Sequence, residues 1–420
     1  MADTEGIDPL SKRYKLALEI VQNELQGDAA FELVQVKDKE QSPVVWRKRI
    51  NVAGKDWLVE VALTKRFPDE APLAKVLDAD DLFLRNPHVL KGGFLCAIPD
   101  SAALNSKDPV GIIRYICDQA KEILAGTGSD DFKDEFSYYW NRCAAEDAQD
   151  ILILSSIENL GKSFPTIFCK GYIFAAPSTE ILDQWTLNFA GKKFELEADD
   201  LGVAIHLASP LLPNNYPNTL EDLISLVDAN DADALKSIKE HVAKSRGRGL
   251  ALLVQKEGDG VALGGVIFDG LGLSESTSAE LIKGFRPGHV PVDILLSRSA
   301  QTIQSAKVTR AIVKRVDHQR IHSRGGDGRD FSQKRVLLIG CGSLGGYVAH
   351  LLSRAGIGHI TITDNDRLGW ENLGRHILGA SSVGRSKSEA LAEKLKEELE
   401  CAPKVGHRSV KGLDRIGPAV

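Results

Sequence analysis

Apolar residues recur at helical spacing over residues 7–26, where Ile7, Leu10, Tyr14, Leu16, Leu18, Ile20 and Val21 stand among charges. This spacing predicts an amphipathic helix. Three strand-like runs follow, Phe31–Val36, Val44–Val52 and Trp57–Leu63, with Gly54-Lys55 as the tight turn between the last two. The run from Phe67 to Pro72 carries two prolines and breaks the pattern, and Ala74–Leu77 reads as a fourth strand. A loop at Asn86-Pro87-His88 leads to Gly92-Gly93-Phe94-Leu95-Cys96, and a helix is predicted over Pro109–Leu124. The aromatic cluster of residues 135–140 is expected to pack a helix onto the sheet. A helix followed by an antiparallel meander is an α+β signature.

Beyond residue 150 the pattern mixes strand-like runs (Thr166–Phe174, Gly249–Gln255, Val261–Phe268) with helical ones (Thr219–Val227, Asp231–Ser245). Residues 297–321 read as helical. Ser323–Asp330, rich in glycine, reads as a junction. The last part predicts strand 335–339, helix 344–355, strand 358–363 and helix 386–400, the βαβα start of a parallel sheet.

Composition narrows the class. A chain of 420 residues is too long for one core and suggests about three domains. A net charge of -6 argues against nucleic-acid binding, which needs a basic face. No apolar run approaches the ~20 residues of a membrane span. The start, Met-Ala-Asp-Thr-Glu-Gly, lacks the pattern of a signal peptide, so the cytoplasm is the default location. The six cysteines form no C-x-x-C pair, so neither a disulfide framework nor a zinc site is indicated.

The candidate chemistry begins at Val336–Gly346. A buried strand ending in Gly340-x-Gly342-x-x-Gly345 lets the backbone approach a phosphate closely, while the following helix offers its unpaired amides. Asp364 lies where a dinucleotide enzyme keeps its ribose-binding acid, so an NAD-dependent oxidoreductase is one reading. Asn372, Arg375 and Lys387 follow as a cationic, hydrogen-bonding set. Such a set suits a triphosphate from which pyrophosphate departs.

With these motifs in view, residues 335–387 resemble the adenylation domain of the ThiF/MoeB and ubiquitin-activating enzyme family. The matching elements are the glycine turn, Ala355-Gly356-Ile357-Gly358, Thr363–Asp366, Asn372–His376 and Gly384–Lys387. The resemblance implies ATP as cofactor, with Asp364 on its ribose and Asn372, Arg375 and Lys387 on its phosphates. It also implies adenylation of a protein's C-terminal carboxylate, and a homodimer formed through this domain. The family's Mg2+-binding aspartate and its further cysteine would fall past Val420, so the adenylation domain is expected to be incomplete and inactive as it stands. Cys401 is not at the family's thioester position, and Cys341 reads as a small packed residue.

The first 145 residues resemble a ubiquitin-conjugating enzyme: first helix, meander, proline-rich turn, histidine loop, cysteine, further helices. The resemblance implies that Cys96 accepts an acyl group as a thioester and passes it to an amine. The family's His-Pro-Asn triplet is replaced by Asn86-Pro87-His88, so its oxyanion-stabilising asparagine is not carried over. His88 is expected to shape the loop. The order of parts resembles the bacterial fusion enzymes of CBASS antiphage systems. This implies a ubiquitin-like protein or the C-terminus of a cGAS-like nucleotidyltransferase as partner, and a target protein amine. The expected layout is an α+β ubiquitin-conjugating-like domain (1–148), an α/β linker domain (149–325) and the start of an α/β Rossmann-like adenylation domain (326–420). A partner-binding fragment without catalysis is the remaining alternative.

Overall fold

The computed structural model describes residues 9–34, 44–98, 103–126, 131–398 and 404–408, apart from 147, 170, 191–199, 259, 277, 287 and 323–330. The junction Ser323–Asp330 and Cys401 therefore lie outside the described residues. The chain divides into two compact units, Met1–Tyr139 with Pro210–Tyr216, and Trp140–Ser209 with Pro217–Val420.

In the first unit, α1 (Pro9–Leu25) precedes a five-stranded antiparallel sheet in sequence order. Its strands are β1 (Phe31–Val34), β2 (Val44–Val52), β3 (Lys55–Leu63), β4 (Leu73–Val76) and β5 (Phe94–Leu95). The hairpin turn is Ala53-Gly54, one residue earlier than expected: Val52 pairs with Lys55, and the two turn residues take φ of 49° and 83°. Two positive φ values match the twist of the flanking strands, so Lys55 is drawn into β3. Along β3, Trp57, Val59, Val61 and Leu63 face the core. Glu60 points the other way and accepts from its cross-strand partner Arg47. Each fully buried apolar side chain contributes roughly 1.5–3 kcal/mol, far more than a surface ion pair. Ala17, Val21 and Leu25 of α1 line the same core. So do Ile113, Ile116 and Ala120 of α2 (Pro109–Leu124), which Asp108 caps by accepting from Gly111 N at 2.8 Å.

The second unit begins with two sheets. One runs in the order β13 (Thr309–Ala311), β12 (Gly260–Asp269), β11 (Arg248–Glu257), β10 (Leu201–His206), β7 (Ser163–Phe164). The other runs β14 (Val313–Arg315), β6 (Asp150–Ile153), β9 (Tyr172–Ala175), β8 (Thr166–Phe168). Helices α3 (Leu220–Asp228) and α4 (Ala232–Lys244) lie in the crossover between the parallel strands β10 and β11. Two expectations are corrected. Thr166–Phe174 is a hairpin of β8 and β9 rather than one run. Residues 297–321 are not one helix: short helices end at Ser305, and β13 and β14 follow. β13 pairs with β12 and β14 with β6. The strand partners lie far away in the chain, so local periodicity could not show them.

The last part of the unit is a parallel sheet, β15 (Arg335–Ile339), β16 (His359–Thr363) and β17 (Lys404–Arg408). Helices α5 (Gly345–Arg354) and α6 (Lys387–Glu398) join the strands, as the pattern predicts. Ile360 and Ile362 of β16 pack with Ala349 of α5 and with Leu391 and Leu395 of α6. β15 is an edge strand of the described sheet, with Leu337 and Ile339 exposed. Among the described residues no helix is long and apolar enough to cross a membrane.

Candidate nucleotide site and reactive cysteine

The three glycines of the turn have three different reasons. Gly340 takes φ of 91°, a conformation that side chains disfavour, and donates its N–H to Thr363 O at 2.8 Å. A Cβ on Gly345 would stand 2.0 Å from Gly340 O, so only glycine lets α5 close onto the turn. A Cβ on Gly342 would meet nothing within 4 Å, so that glycine faces open space.

Helix α5 starts at this opening without a side-chain cap and without an acidic residue in its first turn. By contrast, Asp108, Thr219 and Asp231 cap α2, α3 and α4. The first amides of a helix have no intrahelical partner and carry the positive end of its dipole. An uncapped start beside open space is an arrangement suited to an anion.

Asp364 follows β16 and is held at both oxygens. Oδ2 accepts from Cys341 N, and Oδ1 accepts from Asp366 N at 2.8 Å. Residues 366–368 pair with 384–387 through Leu368 N to Arg385 O, Gly384 N to Leu368 O and Lys387 N to Asp366 O. This brings Lys387, only 8% exposed, to the Asp366 carboxylate at 3.0 Å. Asn372 Oδ1 accepts from Gly369 N at 3.0 Å, and Asn372 O accepts from Arg375 N at 3.0 Å. The Arg375 side chain is exposed and makes no ion pair among the described residues. His376, whose role the sequence did not reveal, is buried and bonds Cys341 O through Nε2. The predicted set is thus tied together around the Cys341 backbone: Asp364 on its amide, the Arg375 loop on its carbonyl. Lys387 joins through Asp366.

The Cys341 thiol itself is fully buried. Burial, reinforced by the Asp364 charge and opposed by Lys387, pushes its pKa up to about 12. A neutral thiol of this kind packs and does not attack. Among the described residues no group of three His, Cys, Asp or Glu side chains is arranged to hold a metal ion.

In the first unit Cys96 is exposed, directly after β5. Gly93 has φ of 77° and lies so close to Val76 O that a Cβ would stand 2.3 Å from it, which fixes β5 against β4. Cys96 N donates to His88 O at 2.9 Å. His88 itself has φ of 64° and donates its N–H to Tyr139 Oη at 2.8 Å. Asn86 Nδ2 donates to Ile123 O at the end of α2. Tyr139 of the aromatic cluster therefore supports the loop before Cys96, while its neighbour Trp140 donates from Nε1 to Ala311 O of β13 at 3.0 Å. Tyr139 is fully buried, edge-on to Phe132 at 4.6 Å. Its link to Cys96 was not visible in the sequence, where the two lie 43 positions apart (139 minus 96).

Residues 25–148 match the prokaryotic E2 family B, and residues 318–405 match the ThiF family. The chain is similar to the ATP-dependent ubiquitin transferase-like protein Cap2 of Pseudomonas aeruginosa, 23% identical over 364 residues, 79% of this chain and 61% of the relative. It is also similar to Cap2 of Vibrio cholerae, 42% identical over 121 residues, 27% of this chain and 20% of the relative. It thus spans less than two thirds of these relatives' lengths. A local likeness links it to the E. coli tRNA threonylcarbamoyladenosine dehydratase TcdA, solved with ATP, 30% identical over 19% of this chain and 32% of that chain, with a TM-score of 0.18. The chain joins, in one polypeptide, a domain of prokaryotic E2 family B to a domain of the ThiF family.

Proposed function

We propose that the protein activates the C-terminal carboxylate of a partner protein with ATP and carries the acyl group through Cys96 to a target amine. The observation behind this reading is the uncapped start of α5 beside the open space at Gly342, with Asp364 and the Arg375 loop both bonded to Cys341. In this reading Asp364 takes the ribose hydroxyls. The α5 amides, Asn372 and Arg375 take the phosphates, and Lys387 adds its charge from a buried position.

A carboxylate is a poor electrophile. Its oxygen attacks the α-phosphorus of ATP and pyrophosphate leaves. A cysteine thiolate then attacks the acyl carbon of the mixed anhydride and AMP departs; the Cys96 thiolate takes the acyl group from that thioester and releases the first thiol. Attack by an amine on the thioester forms the amide and returns the thiol to Cys96, whose exposure on a rigid turn suits this exchange. The Mg2+ implied by the family resemblance is assigned no ligand among the described residues. The division at 1–148, 149–325 and 326–420 belongs to this proposal. So do a homodimer, a cytoplasmic setting and a role in a CBASS-type antiphage system with a ubiquitin-like or nucleotidyltransferase partner.

The test is ATP–pyrophosphate exchange by the full-length protein with a candidate partner protein, followed by trapping. Exchange together with a thiol-labile adduct that Cys96→Ser converts to a stable ester, or abolishes, is the expected result. NAD binding without exchange, or conjugation unchanged by Cys96→Ser, overturns the reading.

A further inference from the structure

We infer that His376 is the positioning residue that fixes the Arg375 loop onto the glycine turn, through one neutral tautomer of its imidazole. The inference rests on the nucleotide reading above and concerns how that site is assembled. The tautomer follows from the partners. Cys341 O is a carbonyl and can only accept, so Nε2 carries the hydrogen. Nδ1 accepts from Leu378 N at 3.1 Å, so it carries none. The imidazole is 7% exposed and both nitrogens are used. A second proton on Nδ1 would turn it toward the Leu378 N–H and remove that bond.

The position of this bond gives it its role. Among the described residues, the bond from His376 to Cys341 is the hydrogen bond that joins segment 369–378 to residues 340–346. The neighbouring Ile377 presses on the start of α5, where a Cβ on Gly346 would stand 2.9 Å from Ile377 Cγ2. Cys341 uses its other backbone group, the amide, on Asp364. A single peptide residue thereby sets the distance between the proposed ribose acid and the loop bearing Arg375. On the Cys341 side the charges are Asp364, bonded to the Cys341 amide, and Lys387 at the start of α6, which pairs with Asp366; Arg375 stands on the segment of His376 itself.

The test compares full-length wild type, His376→Gln and His376→Leu. Glutamine can donate from Nε2 and accept at Oε1; leucine can do neither. In an imidazole 15N–1H spectrum of wild type, the signal that disappears in His376→Gln should show the Nε2–H tautomer. An Nδ1–H or imidazolium signature at neutral pH would overturn the inference whatever the nucleotide does. Amide exchange over residues 372–378 should rise at least tenfold in His376→Leu and stay near wild type in His376→Gln. ATP affinity should follow the same order, at least tenfold weaker for leucine. Equal exchange in the two variants rejects the positioning role. If no form binds ATP while the tautomer and exchange results hold, the nucleotide reading fails and the role of His376 in loop assembly stands. Should His376→Leu fail to fold, the tautomer signal in wild type still decides.

Discussion

Alanine at Gly345 and alanine at Gly342 should act in opposite ways, although the residues are three positions apart. At Gly345 the new Cβ would lie 2.0 Å from Gly340 O, against an ordinary contact of at least 3.4 Å. The gap to be opened is 3.4 minus 2.0, about 1.4 Å, and the obstacle is main chain, which cannot swing aside. Overpacking of this kind costs about 1–3 kcal/mol. Loss of glycine's unfolded-state entropy offsets only ~0.4–1 kcal/mol of it. Gly345→Ala should therefore lose about 1–2 kcal/mol. At Gly342 nothing lies within 4 Å. Its alanine should fold as well as wild type or slightly better, and it should fill the space proposed for the phosphates. A tenfold loss of ATP affinity corresponds to about 1.4 kcal/mol, and at least this much is expected. Urea unfolding, read by amide exchange within α5, gives the stability; equilibrium dialysis with labelled ATP gives the affinity. Wild-type ATP binding by Gly342→Ala would show that the nucleotide does not lie over the turn. Wild-type stability of Gly345→Ala would refute the packing argument.

Other outcomes follow from the same contacts. Leu344→Asp should stabilise α5 by about 0.3–1 kcal/mol in thermal melts, by placing a negative charge at the positive end of its dipole, and should weaken ATP binding by repelling the phosphates. Tyr139→Phe removes the acceptor of a partly buried amide, so about 1–2 kcal/mol of stability and the rate of acyl loading on Cys96 should both fall; unchanged loading with lowered stability would limit Tyr139 to folding. Burial, the largest cause in each case, pushes Cys117 up to about 11 and Cys341 up to about 12. At pH 8, iodoacetamide followed by peptide mass spectrometry should therefore label Cys96 well before either. Both pKa values are raised above the unfolded thiol's value of ~8.5. Their contribution to stability is thus complete below pH ~8.5 and is lost as pH rises toward 11 and 12. Replacing Cys341 with alanine should flatten that alkaline loss in urea titrations at pH 8 and 10.

The elements around both candidate sites were legible where local pattern decides. The alternation of Trp57, Val59, Val61 and Leu63 specifies a strand with one buried face. Likewise, the run from Val336 to Gly346 specifies strand, turn and helix, because glycine spacing and apolar period agree there. The helix expected across 297–321 failed for the converse reason. Its residues join β12 and β6, partners that no local window contains. The turn at Ala53-Gly54 was misplaced by one residue because strand pairing, not the glycine alone, sets where a hairpin closes.

The order of residues supplies the chemical parts: a glycine turn, an acid after the next strand, an Asn–Arg–His run, a lysine at a helix start, and a cysteine after two glycines. How they are held follows from the folded packing. Asp364 and His376 meet on opposite backbone groups of Cys341, Lys387 is buried against Asp366, and Tyr139 carries the loop that carries Cys96. Most of these bonds join groups about 20 or more positions apart. Their partners are chosen by packing of whole elements, and a linear pattern holds no record of that choice.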